Sequence, residues 1–244
     1  MLSKRSKEVR KKALELSLAN GGYHFGGSFS CAEILITLFD HVLQEDDVLI
    51  LSKGHGCWCY YALLQERGFN PVLEGHPHRD PHNGIPWTTG SLGHGLPAGF
   101  GMALARKMTG KPGRIFVLMG DGELQEGTTW ETMLLASHHR TNNLIAIVDN
   151  NHCQGSGRCD NILYPTSFIW SAATAIGWTS MGVDGHHVER LRHIITVRMS
   201  IDKPYMIFAD TVKGKGISFM EDRPEWHAKF PNPEQLEQMM KELS

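Results

Sequence analysis

The sequence predicts an α/β fold, a doubly wound, mainly parallel sheet flanked by helices. Three observations carry this reading. Arg114-Ile115-Phe116-Val117-Leu118-Met119 and Leu144-Ile145-Ala146-Ile147-Val148 are short apolar runs with β-branched residues, and they read as buried strands. A helical run from about Thr129 to Arg140 lies between them, completing a strand-loop-helix-strand unit. Each strand then ends in polar residues, Gly120-Asp121-Gly122 and Asp149-Asn150-Asn151, at the edge where open parallel sheets bind ligands.

The chain has 244 residues, enough for one large domain, and residues 1–244 read as a single unit without repeats or low-complexity linkers. Hydrophobic content of 41% and a net charge of -2 are those of a soluble protein with no implied nucleic-acid partner. No signal segment or membrane-length apolar run is evident, so no membrane partner is expected. The 5 cysteines are an odd number in a large chain, which points to reduced thiols in a cytoplasm.

In order along the chain, Ser3 to Ala19 has the spacing of an amphipathic helix stopped by Asn20-Gly21-Gly22. His24 to Ser28 reads as a loop, and Ser30-Cys31-Ala32-Glu33 as a capping box opening a helix to about His41. Asp47 to Leu51 is a short strand; after Ser52-Lys53-Gly54-His55-Gly56 a helix runs through Leu64. Phe69 to Gly90, rich in Pro, Gly and His, is a long loop of the kind that is functional or disordered. Leu96 to Met108 is a helix whose glycines and alanines permit close packing. Thr128 to Glu131 fits a capping box for the helix that follows. Beyond the central unit, helices are expected from Phe168 to Ile176, Val188 to Met199 and Glu234 to Leu243, with Asn232-Pro233 opening the last. Tyr205 to Thr211 is an apolar strand, followed by Val212-Lys213-Gly214-Lys215-Gly216 as a flexible cationic loop.

The polar strand ends suggest metal chemistry. Asp121 offers a carboxylate oxygen, Asn151 a side-chain carbonyl and Cys153 a backbone carbonyl. Such a set suits magnesium, a small hard cation that takes octahedral oxygen ligands shared with water and phosphate. Glycine at 120 and 122 lets backbone approach a bulky anion. His76, His78 and His82 could suggest zinc, but no cysteine pair accompanies them.

Gly120-Asp121-Gly122-Glu123-Leu124-Gln125-Glu126-Gly127, with Asp149-Asn150-Asn151 after the next strand, resembles the thiamine diphosphate fingerprint of transketolases. The resemblance runs from the first helix to Trp226-His227 and implies the family's thiamine diphosphate-binding fold. It implies Mg2+, or Ca2+ or Mn2+ in its place, on Asp121, Asn151 and the Cys153 carbonyl. It further implies cofactor contacts from His55, Gly90, Ser91, Leu92, Gly120, Asp121, Gly122, Glu123, Asn151 and His227. His24, His55, His76 and His227 match family histidines that face substrate, reacting carbonyl or phosphate. The plainer alternatives are a helix cap for His55 and a surface loop for His227. Glu126 and Glu131 match two glutamates linking paired active sites, although the capping box alone would explain Glu131.

The resemblance covers the family's diphosphate-binding domain and no more. The expectation is therefore the N-terminal subunit of a split transketolase, transferring a two-carbon ketol unit from a ketose or ketose phosphate to an aldose. A separate chain would carry the pyrimidine-binding and C-terminal domains in an A2B2 heterotetramer, with small sugars or sugar phosphates as substrates. The alternatives are a subunit of another thiamine diphosphate enzyme, of the 2-oxoacid dehydrogenase or deoxyxylulose phosphate synthase type, or a non-catalytic scaffold subunit.

Overall fold

In the computed structural model, which describes residues 2–197 and 202–244, side chains alternate along each central strand between two separate cores. The elements in chain order are α1 (Lys4–Ala19), α2 (Phe25–Ser30), α3 (Ala32–Thr37), β1 (Val48–Leu51), α4 (Trp58–Gln65), α5 (Gly95–Thr109), β2 (Ile115–Gly120), α6 (Gly127–His138) and β3 (Leu144–Asn150). There follow β4 (Cys153–Gln154), β5 (Gly157–Arg158), α7 (Cys159–Ile162), α8 (Thr166–Ala175), β6 (Thr179–Asp184), α9 (Val188–Val197), β7 (Tyr205–Asp210) and α10 (Pro233–Glu242).

The main sheet has the order β1-β2-β3-β7-β6 and every neighbouring pair is parallel. Phe116, Leu118, Ile145, Ile147 and Ile207 meet Leu14, Ile34, Leu63 and Leu191 on one face. Ile115, Val117, Met119, Ala146 and Phe208 meet Leu96, Met133 and Ile169 on the other. Burial on both faces is why the sequence shows continuous apolar runs instead of alternation. The small residues of α5 act as expected against the sheet, since a Cβ on Gly99 would stand 2.5 Å from a Val117 methyl.

Several local expectations are corrected. The stretch from His24 to Ser28 is not a loop but the start of the buried helix α2; Phe25 and Phe29, one turn apart, both enter the core, and this burial outweighs the two glycines. Ser30 does not open a capping box, because its hydroxyl bonds Gly27 O and Asp149. Glu33 is instead buried against Arg10 and His186. The Thr128–Glu131 box is also absent: α6 begins at Gly127 with Glu126 as its cap residue, and Thr128 Oγ1 donates to Gly93 O. Edge strand β6 escaped the sequence reading because Thr-Ser-Met-Gly-Val-Asp has no apolar run and is half exposed. Its Gly182 is required, since a Cβ there would lie 2.5 Å from the Trp170 ring. The last two residues of the expected Val188–Met199 helix lie outside the described residues. Asn232 forms a capping box with Gln235 at the start of α10.

Arg10 and Glu33 tie α1 to α3 inside the core. Both side chains are shut from solvent, joined by two hydrogen bonds of 2.6 and 2.8 Å. Burial opposes ionisation of Glu33, but Arg10 outweighs it and holds the carboxyl down at about 2. Removing one member of a buried pair strands the other charge. Arg10→Met is therefore expected to cost about 3–5 kcal/mol in urea unfolding, and Arg10→Met with Glu33→Leu to recover most of that loss.

Candidate active site

The loops after β2, β3 and β7 and the turn after β1 enclose a cavity of about 440 Å³. Its floor is organised on Asp149, whose side chain is fully buried at the carboxyl end of β3. One carboxylate oxygen accepts from Lys53 Nζ, Ser30 Oγ and Asn151 Nδ2, and the other from Thr211 Oγ1. Burial works against ionisation, yet the Lys53 charge holds this carboxyl below the usual range.

Asp121, one strand over, is the opposite case. Its Oδ1 accepts from Gly122 N–H at 2.8 Å, its buried Oδ2 has no hydrogen-bond partner among the described residues, and the Cys159 thiol lies near the carboxyl. Burial, followed by the nearby Asp149 charge, pushes its carboxyl up to about 6. Asn151 donates through Nδ2 to Asp149, so its Oδ1 faces the other way and accepts from Cys153 N–H. Glu123 also lines the cavity; it is buried and accepts from Ser52 Oγ, Gly93 N–H and Gly120 N–H, fastening three loops together.

A wall of imidazoles rises from this floor. The His24 ring lies 5.6 Å from His55, 6.1 Å from His76 and 5.2 Å from His227, and His55 lies 5.0 Å from His227. His24 sits at φ 66° before α2 and donates Nδ1–H to His227 O. His55 stands on a 3-10 turn, Gly54–Gly56, between β1 and α4. Burial is the first cause that lowers all four pKa values, with neighbouring cations and rings adding to it. His227 falls to about 3, so its ring is neutral near pH 7, and its Nδ1 accepts from Lys213 Nζ at 3.3 Å.

Most of the residues singled out by sequence converge here. His55, Leu92, Gly120, Asp121, Gly122, Glu123, Glu126, Asn151, Cys153 and His227 line the cavity. His24 and His76 extend its histidine wall, and Gly90 packs against the His76 ring. Ser91 is exposed and faces His94. Glu131 is exposed one turn into α6, outside the lining. His78 pairs instead with Glu74, and His82 is exposed.

Lys53, Asp149 and Lys213 went unrecognised in the sequence. A lysine and an aspartate at the carboxyl ends of two apolar strands, β1 and β3, were the available signal for the first two. Lys213 also corrects the reading of residues 212–216 as flexible. Its side chain is 1% exposed, and Gly214 N–H is bonded to Gly26 O.

Among the described residues, no three His, Cys, Asp or Glu side chains gather as a metal-binding group. The oxygen set of Asp121, Asn151 and the Cys153 backbone carbonyl contains one such side chain, Asp121. The bare Asp121 Oδ2 and the second lone pair of Asn151 Oδ1 fit a small hard cation.

A family model described as the transketolase thiamine diphosphate-binding domain matches residues 7–243. An apulose-4-phosphate transketolase subunit from Actinobacillus succinogenes is 37% identical over 269 residues, covering 99% of this chain and 95% of the relative. The 6-deoxy-6-sulfo-D-fructose transketolase subunit SqwG of a Clostridium species is 36% identical, covering 90% and 87%. The structure of transketolase from Leishmania mexicana superposes with a TM-score of 0.90 at 25% identity, covering 100% of this chain and 41% of that one.

The depressed pKa of His227 makes stability depend on pH. An unfolded histidine binds its proton near pH 6.5, whereas the folded ring resists protonation down to about 3. The contribution is present above about 6.5 and is lost as pH falls toward 3. His227→Asn should therefore flatten the loss of unfolding free energy between pH 6.5 and 4.5. In nitrogen-15 spectra, His227 should remain neutral at pH 5, and a midpoint near 6.5 would contradict its assigned environment.

Proposed function

The chain belongs to the transketolase family, and from that premise we propose that it is the N-terminal, diphosphate-binding subunit of a split transketolase. In this reading it moves a two-carbon ketol unit from a ketose or ketose phosphate to an aldose. The observation that carries the reading is the bare, buried Asp121 oxygen beside Asn151, beneath a wall of neutral imidazoles. Asp121, Asn151 and the Cys153 carbonyl would hold Mg2+, or Ca2+ or Mn2+ in its place, against the diphosphate. Gly120, Gly122 and the Gly90-Ser91-Leu92 segment would let backbone close on the cofactor, with Glu123 keeping those loops together.

Bound thiamine diphosphate supplies the chemistry that breaks and forms the carbon–carbon bond beside the ketose carbonyl. The chain's own part is proton handling. His24, His55, His76 and His227 are neutral near pH 7, so each ring can donate from one nitrogen and accept at the other. Glu126 at the cavity mouth and Glu131 on α6 are both exposed, which suits the proposed link to a second active site.

Relatives matched along nearly their whole length are named as transketolase subunits, which supports a separate partner chain. We assign the pyrimidine-binding and C-terminal domains to that partner, residues 1–244 to one diphosphate-binding domain, and an A2B2 heterotetramer to the assembly. The relatives are named for apulose 4-phosphate and 6-deoxy-6-sulfo-D-fructose, which supports a small sugar or sugar phosphate as substrate. Five free, buried thiols suit a cytoplasmic setting, and among the described residues no helix is long and apolar enough to cross a membrane.

With hydroxypyruvate as donor, thiamine diphosphate and Mg2+, ketol transfer is expected from the mixture of this chain and its partner subunit. Equal turnover by this chain alone would overturn the split assignment. In the same complex, Asp121→Asn keeps an acceptor for Gly122 N–H but loses the anionic ligand. Calorimetry should then show Mg2+-dependent thiamine diphosphate affinity lower by about 100-fold; unchanged affinity would remove Asp121 from the metal site.

A further inference from the structure

Asp184-Gly185-His186-His187 begins at the last residue of edge strand β6 and has no part in the site so far, yet His186 reaches inward. Its Nε2 lies 2.9 Å from Val212 N–H, and its Nδ1 lies 2.8 Å from Glu33 Oε2. A backbone N–H can only donate, so Nε2 is unprotonated and Nδ1 carries the proton that Glu33 accepts. Arg10 grips the same carboxylate, with Nη1 on one oxygen and Nη2 on the other. The arrangement runs Arg10 to Glu33 to His186 to the backbone of Val212, and Lys213 is the next residue.

Lys213 must thread a narrow passage. A Cβ on Gly26 would meet the Lys213 Cγ and Cε at 3.2 Å and Trp226 O at 2.7 Å. Beyond this passage the ammonium reaches His227 Nδ1. Four long-range hydrogen bonds set the backbone around it. Thr211 N–H bonds Asn150 O, Gly214 N–H bonds Gly26 O, Asp222 N–H bonds Lys213 O, and Val212 N–H bonds His186. Of these acceptors, His186 alone is a side chain, and two buried charged residues fix its orientation.

We propose that His186, oriented by Glu33 and Arg10, is a positioning residue that aims Lys213 into the cavity so that its ammonium meets the cofactor's diphosphate. The diphosphate half of this statement rests on the function proposed above; the aiming of Lys213 at His227 does not. Groups of this kind hold ligand-contacting residues in orientation, and their loss weakens binding without destroying the fold.

The test separates the two nitrogens of His186 in the complex with the partner subunit. His186→Gln places an amide oxygen where Nε2 stood and can accept Val212 N–H. His186→Asn places an amide nitrogen where Nδ1 stood and satisfies Glu33 alone. Thiamine diphosphate binding with Mg2+ is expected to weaken about 10-fold in His186→Asn and to recover in His186→Gln. In a Lys213→Met background, His186→Asn should have no further effect. An undiminished effect of His186→Asn in that background, or wild-type affinity of His186→Asn, would overturn the proposal. The cofactor-free protein supplies a second readout. The His227 Nδ1 resonance, which reports the Lys213 contact, should move in His186→Asn and return in His186→Gln. A resonance unmoved in His186→Asn sinks the proposal whatever the cofactor does, whereas variants whose resonances behave as expected beside a wild-type complex that does not bind thiamine diphosphate sink the functional reading instead.

Discussion

The site is built on one buried carboxylate. Asp149 lies at the carboxyl end of the central strand, where an unpaired charge would be prohibitively costly. Satisfying it draws in four segments far apart in sequence, through Ser30, Lys53, Asn151 and Thr211. Each of those bonds has a consequence at the cavity. Lys53 turns inward, which brings the Gly54–Gly56 turn and His55 to the mouth. Ser30 fixes the end of α2, whose other end carries His24. Asn151 gives its amide nitrogen to Asp149, so its oxygen is aimed the opposite way, toward Cys153 N–H and the cation position of the proposed function. The two aspartates at neighbouring strand ends thus divide the work, Asp149 holding the frame while Asp121 keeps an oxygen bare.

What the sequence revealed follows the same division. Strands β1, β2, β3 and β7 were legible because burial on both faces demands continuous apolar residues. The Gly-Asp-Gly and Asp-Asn-Asn ends were legible because ligand-binding backbone needs particular residue types. β6 was not, since an edge strand with one half-exposed face needs no such run. α2 was hidden behind Gly26-Gly27, because what makes it helical is the burial of Phe25 and Phe29, a tertiary effect. Ser30 and Glu33 have the spacing of a capping box, but a capping pattern cannot announce that both side chains will be claimed by groups more than a hundred residues away, Asp149 and His186. Lys213 reads as part of a flexible cationic loop, and only the packing of Gly26 and Trp226 around it reveals a buried residue.

The two buried lysines show how the same residue type serves opposite ends. Lys53 is cancelled by Asp149, and this neighbour raises its pKa despite complete burial. Lys213 has no carboxylate partner among the described residues; burial, then the Lys53 charge, lowers its pKa. Both ammoniums lie close enough to His55 and His227 to disfavour a second positive charge there. Four rings whose linked centroids are 5.0 to 6.1 Å apart could not all be protonated in any case. Burial first, and at His24, His55 and His227 the nearby cations as well, keeps the imidazoles neutral and able to exchange protons, while Lys213 leaves a local excess of positive charge. An anionic ligand relieves that excess, and a cation on the bare Asp121 oxygen relieves the opposite deficit. The protein alone leaves both charges incompletely matched, and in the proposed function a metal-bound diphosphate would complete both.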